Sequence, residues 1–249
     1  MLASDDRVSF VGRSPGESDG IFVPGDGAYA QVGPPVLFNT SQNTRPYARM
    51  AADGSIYYTR YDNQLRQWEV GKTGTDARSR GVDLLGYSSS NIYVTEAANS
   101  LGEVILGIGG GYWPSGFLLS TESGSTLIAA TSEPRFSLLY EIDINDQSEI
   151  VFQASRLGSE DRIDGLYRRK GDEMDVVLSA GQSLFGAELH GFQFAYGGLN
   201  SKGEIAFNYW LLNGERGVAI ARPVPEPATG ALFAMAFAAG AIRRRRWGW

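Results

Sequence analysis

A turn followed by a short apolar strand recurs five times in this 249-residue chain, and that recurrence narrows the fold more than any other feature. The copies begin at Ser4-Asp5-Asp6-Arg7, Ala51-Ala52-Asp53-Gly54, Asn99-Ser100-Leu101-Gly102, Asn145-Asp146-Gln147-Ser148 and Asn200-Ser201-Lys202-Gly203. Their strands begin at Val8, Ser55, Glu103, Glu149 and Glu204. The fourth turn positions are 7, 54, 102, 148 and 203, giving spacings of 47, 48, 46 and 55. A period of this size marks a repeat architecture in which one supersecondary unit is copied and stacked.

The chemistry of this eight-residue box is that of a turn. An Asn at the first position can accept from the backbone two residues on, and Gly at the fourth tolerates a positive φ. Ser148 and Arg7 stand where Gly is wanted, so those turns are expected to adjust at some cost. Glu-Ile-x-Phe then reads as a half-buried strand with alternating faces. A second strand follows about 15 residues later in each unit, as in Gly165-Leu166-Tyr167-Arg168. A third follows a tight turn, as in Asp175-Val176-Val177-Leu178, and a fourth leads into the next box, as in Phe192-Gln193-Phe194-Ala195-Tyr196.

Four short antiparallel strands per 40–50 residues is the arithmetic of a propeller blade. Residues 1–222 are therefore expected to form an all-β, propeller-like array of about five four-stranded units. The ring is expected to be incomplete. The fifth box is followed by two strands before Pro223, and only Met1 to Ala3 precede the first box, so the missing strands are expected to lie upstream of Met1. The start also lacks the basic and apolar regions of a signal peptide, which points to the same upstream extension.

Composition agrees with a turn-rich β protein. Glycine supplies 32 of 249 residues, near twice the average usage, beside 12% aromatics. There are no cysteines, which excludes disulfide staples, thiolate zinc sites and thiol nucleophiles. Residues beyond 222 carry four of the 22 basic residues and one of the 28 acidic ones, so 1–222 holds 18 against 27, a net −9. That balance argues against nucleic acid as a partner.

The last 27 residues, 223–249, have a different design. Pro225-Glu226-Pro227 is followed by an uncharged run, 228–242, and then by Arg243, Arg244, Arg245 and Arg246. As a helix the 15-residue run would span about 22 Å at 1.5 Å per residue. A hydrocarbon core is about 30 Å thick, so this is a short, weak transmembrane helix, with the arginines left on the cytoplasmic side.

Hinge, apolar run and basic stop, in that order at the C-terminus, resemble the PEP-CTERM sorting signal of Gram-negative and related bacteria. That resemblance implies export, transient retention in the membrane through residues 228–242, and processing by an exosortase near Pro225, Glu226 and Pro227. The destination it implies is the cell surface or the extracellular matrix. The boxes resemble the NxxGxxAF tandem-repeat family, whose consensus Asn200 to Phe207 matches throughout. Asn145 to Phe152 departs from it at Ser148 and Val151, and Asn99 to Leu106 lacks the final Phe. This second resemblance implies a scaffold and brings no activity with it.

Candidate chemistry is sparse. A Ser-His-Asp relay would have to use His190, the sole histidine, with Ser179 or Ser183, yet neither serine sits in a Gly-x-Ser-x-Gly elbow. Asp143, Asn145 and Gln147 have the alternation of a calcium loop, but Ser148 and Ala154 occupy its glycine and glutamate positions. Glu160-Asp161 with Asp164, and Asp172-Glu173 with Asp175, read as solvated acidic loops. The run from Gly107 to Gly111 lacks the lysine of a phosphate loop. Tyr112, Trp113, Trp68 and Tyr61 can stack on sugar rings or fill blade interfaces.

No catalytic residue, cofactor or metal is therefore expected. Asn99, Gly102, Asn145, Asn200 and Gly203 are assigned to structural turns. The expected function is a non-catalytic, exported repeat protein with a scaffold or adhesion role, with extracellular polysaccharide a candidate partner. The alternative is a glycan-active hydrolase using paired carboxylates in a propeller cleft.

Overall fold

A computed structural model describes residues 10–13, 19–24, 29–31, 48–62, 65–73, 78–85, 87, 92–109, 113–159 and 163–223. They form 19 strands in five antiparallel meanders. The first sheet has three strands: β1 (Phe10–Arg13), β2 (Asp19–Pro24) and β3 (Tyr29–Gln31). The second is β4 (Ala48–Met50), β5 (Ile56–Asp62), β6 (Gln67–Lys72) and β7 (Arg78–Gly81). The third is β8 (Ile92–Ala98), β9 (Val104–Ile108), β10 (Gly116–Thr121) and β11 (Gly124–Ala130). The fourth is β12 (Phe136–Ile144), β13 (Glu149–Arg156), β14 (Gly165–Lys170) and β15 (Glu173–Ser179). The fifth is β16 (Ser183–Leu184), β17 (Ala187–Leu199), β18 (Ile205–Leu211) and β19 (Arg216–Ala221).

Strands β4, β8, β12 and β17 pack against one another in succession, so successive sheets meet along these strands in a propeller-like, all-β array. The expected phase of the repeat is corrected by one strand. Sequence order suggested that the strand before each box closes the preceding unit. In the structure that strand opens the next sheet, and the box is the hairpin turn joining it to its partner: β12 pairs with β13, not with β11. Hydrogen bonding across a tight turn decides this, because two strands joined by four residues are already in register. The fifth sheet consequently reaches four strands by adding the two-residue β16 beside β17, and β19 forms its edge. Four of the expected five units have four strands, and in the first sheet three strands are described, with residues 1–9 and 32–47 outside the described residues.

The expectation of half-buried strands also gives way. β9 is buried at every position and β13 at all but its last. Val104 and Leu106 pack in the cluster shared with the second sheet, while Ile105, between them, faces the cluster shared with the fourth. Ile150 and Phe152 pack back towards the third sheet and Val151 forward onto the fifth. A sheet sandwiched on both faces has no polar side to alternate with. β18 alone among these three alternates strictly: Ile205, Phe207, Tyr209 and Leu211 are buried, while Ala206, Asn208 and Trp210 are exposed. Its exposed face continues onto β19 through Val218 and Ile220, 71% and 55% exposed.

Between the third and fourth sheets the core is aromatic. Phe136 meets Phe152 and Tyr167 edge-on, at centroid distances of 5.7 and 5.1 Å, and Phe152 stacks on Tyr167 at 5.5 Å. Polar side chains also cross between sheets. Arg80 Nη2 donates to Gly102 O and Ser120 O, and Arg169 Nη1 to Leu127 O and Ile128 O. The fully buried Gln153 amide donates to Phe194 O at 3.2 Å and accepts from Phe194 N at 3.1 Å.

Among the described residues no helix is long and apolar enough to cross a membrane. The expected transmembrane run 228–242, with Pro225, Glu226, Pro227 and Arg243 to Arg246, lies outside them.

Candidate functional site

Four boxes occupy the same hairpin position. In each, the first residue's N–H donates to the carbonyl of the fifth residue, and the fourth residue's N–H donates back to the first residue's carbonyl. Gly54, Gly102 and Gly203 hold φ of 82°, 85° and 74°. Ser148 holds 57°, so the turn does not adjust to the missing glycine. The serine accepts the left-handed conformation, and its Oγ donates to Glu103 Oε2 at 2.7 Å. That bond to a charged acceptor offsets the strain of a non-glycine residue there.

The asparagines do more than close turns. Asn145 Oδ1 accepts from Gln147 N and Glu149 N at 2.9 and 3.0 Å. Its Nδ2 donates to Asn200 O at 3.0 Å, as Asn99 Nδ2 donates to Asn145 O at 2.9 Å. The third box is thus bonded to the fourth and the fourth to the fifth. Asn200 repeats the turn bonds, to Lys202 N and Glu204 N, and its Nδ2 donates to Glu204 Oε2. In the second box Asp53 takes over the acceptor role, receiving Ser55 N and Oγ. This cross-box ladder was not read from the sequence, although the repeated Asn at near-constant spacing is its signal.

Several singled-out residues have ordinary roles. Asp143 does not coordinate with Asn145 and Gln147 as a calcium loop would. Its Oδ2 accepts from Gly197 N and Leu199 N, and its Oδ1 from Ile144 N. Among the described residues no group of three or more candidate ligands could hold a metal ion. Asp164 takes both the N–H and Nε of Arg156, Asp175 pairs with Arg168, and Asp172 lies 3.8 Å from Arg169. Glu160, Asp161 and Tyr112 lie outside the described residues. Trp68 packs against the core between the second and third sheets, and Ser179 N is bonded by Gln182 in the turn after β15.

Two features remain with chemical potential. The first is interior. The ladders of β8 and β12 slip at Glu96 and at Tyr140-Glu141, and such bulges re-aim side chains. Burial pushes the Glu96 carboxyl up to about 7; Arg49 opposes the shift and the nearby charge of Glu141 adds to it. Arg49 Nε also donates to the Glu96 carbonyl at 2.7 Å. Burial likewise pushes Asp143 up to about 6, against its three backbone donors and Arg49. Glu96 beside Glu141 is thus a carboxyl that titrates near neutrality next to a second carboxylate.

The second feature is a cleft of about 720 Å³ at the end of the strands opposite the boxes. Trp113, from the β9–β10 connection, and Tyr140, on β12, form one wall with ring centroids 4.8 Å apart at 62°. His190 and Gln193, both exposed on β17, and Trp210 on β18 form the other. Trp113 is 43% exposed and Trp210 38%. Trp210 lies over its cross-strand partner Gly191, where an added Cβ would meet its Nε1 at 2.5 Å. Among the described residues no Asp, Glu, Lys or Arg lines this cleft. Sequence reading had flagged Trp113 and His190 separately and had not joined them. Trp210 was missed; its signal was a large aromatic on the polar phase of an alternating strand. Among the described residues no serine lines the cleft beside His190, so the relay with Ser179 or Ser183 gains no support from it.

Residues 223–246 match the PEP-CTERM protein-sorting motif. Such a signal implies export and transient anchoring through the C-terminus, with sorting by a membrane exosortase. No curated protein matches the chain. Among solved structures it is similar to the β-propeller domain of the Trilobed protease from Pyrococcus furiosus, described as having an open velcro topology. That match has 9% identity and a TM-score of 0.43, covering 88% of this chain and 79% of that one.

Proposed function

We propose that this protein is a non-catalytic scaffold or adhesion module of the cell surface or extracellular matrix, delivered there by its tail. The observation that carries this reading is the sorting motif at residues 223–246, joined to a repeat body. The body supports it in kind. Its polar groups are spent on holding sheets together, through the Asn99–Asn145–Asn200 ladder and the Arg80 and Arg169 bridges. In this reading Pro225, Glu226 and Pro227 are recognised by the exosortase, the run 228–242 holds the precursor in the membrane, and Arg243 to Arg246 fix its orientation.

The test is processing in a host with a matching exosortase. Glu226→Ala, or Pro225 and Pro227 replaced together, should leave unprocessed precursor in the membrane fraction on immunoblots. Normal processing and surface display of those variants would remove the sorting role. Neutralising Arg243 to Arg246 should weaken retention instead.

A second reading, a glycan-active hydrolase, would draw on the Glu96 carboxyl, which burial raises to about 7 with Glu141 nearby. Glycoside hydrolysis uses a pair of carboxyl groups, one of them with a raised pKa. Reducing-sugar release lost in both Glu96→Gln and Glu141→Gln, with folding intact, would support it. No release by the parent protein from any polysaccharide offered would count against it.

A further inference from the structure

We propose that the cleft between Trp113 and Trp210 is a binding site for a neutral polysaccharide, held by stacking of its pyranose rings on the two indoles. The proposal gives the adhesion reading above a ligand and a place, and it rests on that reading only for its setting.

A pyranose offers two kinds of surface, apolar C–H faces and a rim of hydroxyls. The cleft offers the complement of each. The Trp113 and Trp210 rings are large apolar faces left partly open to solvent. Apolar surface grouped in a groove and rimmed by polar groups marks ligand-binding sites. Around them stand groups that exchange hydrogen bonds with hydroxyls: the Tyr140 phenol, the His190 imidazole and the Gln193 amide. A site mostly apolar with a few convergent polar groups is the ordinary composition of a small-molecule cleft, and about 720 Å³ falls inside the usual range of about 300–1,000 Å³.

Charge selects among saccharides. The chain carries 28 acidic residues against 22 basic ones, and among the described residues no Asp, Glu, Lys or Arg lines this cleft. Uronate or sulfated polymers would meet the field of an acidic chain with no Lys or Arg among these lining residues to compensate it, whereas a neutral chain is not repelled. The rings are also held before any ligand arrives. Tyr140 backs Trp113 edge-on, and Trp210 lies against Gly191, where a side chain would displace it. Rings fixed in advance lose little conformational freedom on binding. The walls come from the β9–β10 connection and from the fourth and fifth sheets, and inter-sheet bonds tie the third sheet to the fourth and the fourth to the fifth.

The experiment titrates the full-length chain with cellohexaose, maltohexaose and laminarin, with alginate as the anionic control, following tryptophan fluorescence. At least one neutral glycan should give a saturable change and alginate none. Trp113→Ala and Trp210→Ala should each weaken binding about tenfold or more, while Trp68→Phe, remote from the cleft, should not. Gly191→Ala, which leaves every cleft side chain present but pushes the Trp210 ring aside, should weaken it as well. Circular dichroism identifies folded variants, and Trp210→Tyr, which keeps an aromatic face, should restore part of the affinity if Trp210→Ala fails to fold. The proposal falls if no neutral glycan binds, if binding survives loss of both indoles, or if alginate binds best. It also falls if sedimentation shows the cleft occupied by a second copy of the chain, released by Trp210→Ala. Its failure is separable from that of the sorting reading, because the cleft variants should be processed normally and Glu226→Ala should bind glycan normally.

Discussion

The asparagine ladder makes a quantitative claim about two chemically identical substitutions. Asn145→Ala removes two turn bonds, from Gln147 N and Glu149 N, the in-box bond to Glu149 Oε2 and the cross-box bond to Asn200 O. Asn145 is 5% exposed, so water does not replace what is lost. At about 0.5–1.5 kcal/mol net for each bond, the cost is about 4 kcal/mol. Asn200→Ala removes the same two turn bonds and the equivalent in-box bond, to Glu204, and its turn stands partly in solvent. At the low end of the same range its cost is about 2 kcal/mol. For a chain of this size the gap of about 2 kcal/mol corresponds to a separation of about 4–8 °C in melting temperature. Asn145→Asp keeps the Oδ1 acceptor, loses the Nδ2 bonds to Asn200 O and Glu149 Oε2, and sets a charge beside Glu149. Urea unfolding at pH 7 measures all three. Equal midpoints for Asn145→Ala and Asn200→Ala, or a silent Asn145→Asp, would refute the claim that the ladder joins sheets.

Other expectations follow from single contacts. Gly203→Val should cost about 1–3 kcal/mol or more in thermal melts, because a β-branched residue is forced to φ 74° and its Cβ meets Glu149 Oε2 at 2.5 Å. Phe152→Ala should cost about 3–5 kcal/mol, opening a cavity in the aromatic cluster of Phe117, Phe136 and Tyr167; a smaller loss in urea would mean that the cluster collapses to fill it. Asp143 sets a pH slope. Its carboxyl is raised from 3.8 to about 6 in the folded protein, so between those values the native state keeps a proton that the unfolded chain releases. Stability should therefore fall as pH rises from about 4 to 6, by at most about 3 kcal/mol from this group, and then level off. The stability difference between parent and Asp143→Asn should trace that fall, and a difference flat with pH would sink it. Glu149 runs the other way: burial alone would raise it, but bonds from Lys170 and Asn145 outweigh burial and hold it low. Its share is present above the ordinary glutamate range and lost as pH falls through its depressed value, so Glu149→Gln should flatten the acid limb of the same curve.

The strand-by-strand content of the body was legible because turn chemistry is local. Asn at one position and Gly three later announce a hairpin wherever they fall. What the sequence left ambiguous was pairing. A strand lying between two turns can be the last of one sheet or the first of the next, and the two choices leave the same pattern of apolar residues. Burial on both faces was invisible for a related reason. Val151 and Ala206 hold the same box position, yet Val151 is buried by the fifth sheet while Ala206 is exposed. Ser148 misled because its compensation comes from Glu103, 45 residues away. The cleft was hidden for want of distance information: Trp113 and Trp210 stand nearly a hundred positions apart, and no periodicity relates them.

The ladder of boxes has a direction, and direction has a consequence for assembly. Asn99 and Asn145 each give an amide hydrogen forward, to a carbonyl of the following box, 46 residues on for Asn99 and 55 for Asn145. A sheet that emerges first from a ribosome or a translocon therefore lacks that acceptor, keeping only the bond to its own box glutamate, until its successor arrives. The same holds for its apolar face, since Val151 waits for the fifth sheet as Ile105 waits for the fourth. Every unit thus offers the next one a template while remaining unfinished itself, in the manner of a zipper that closes from the N-terminal end.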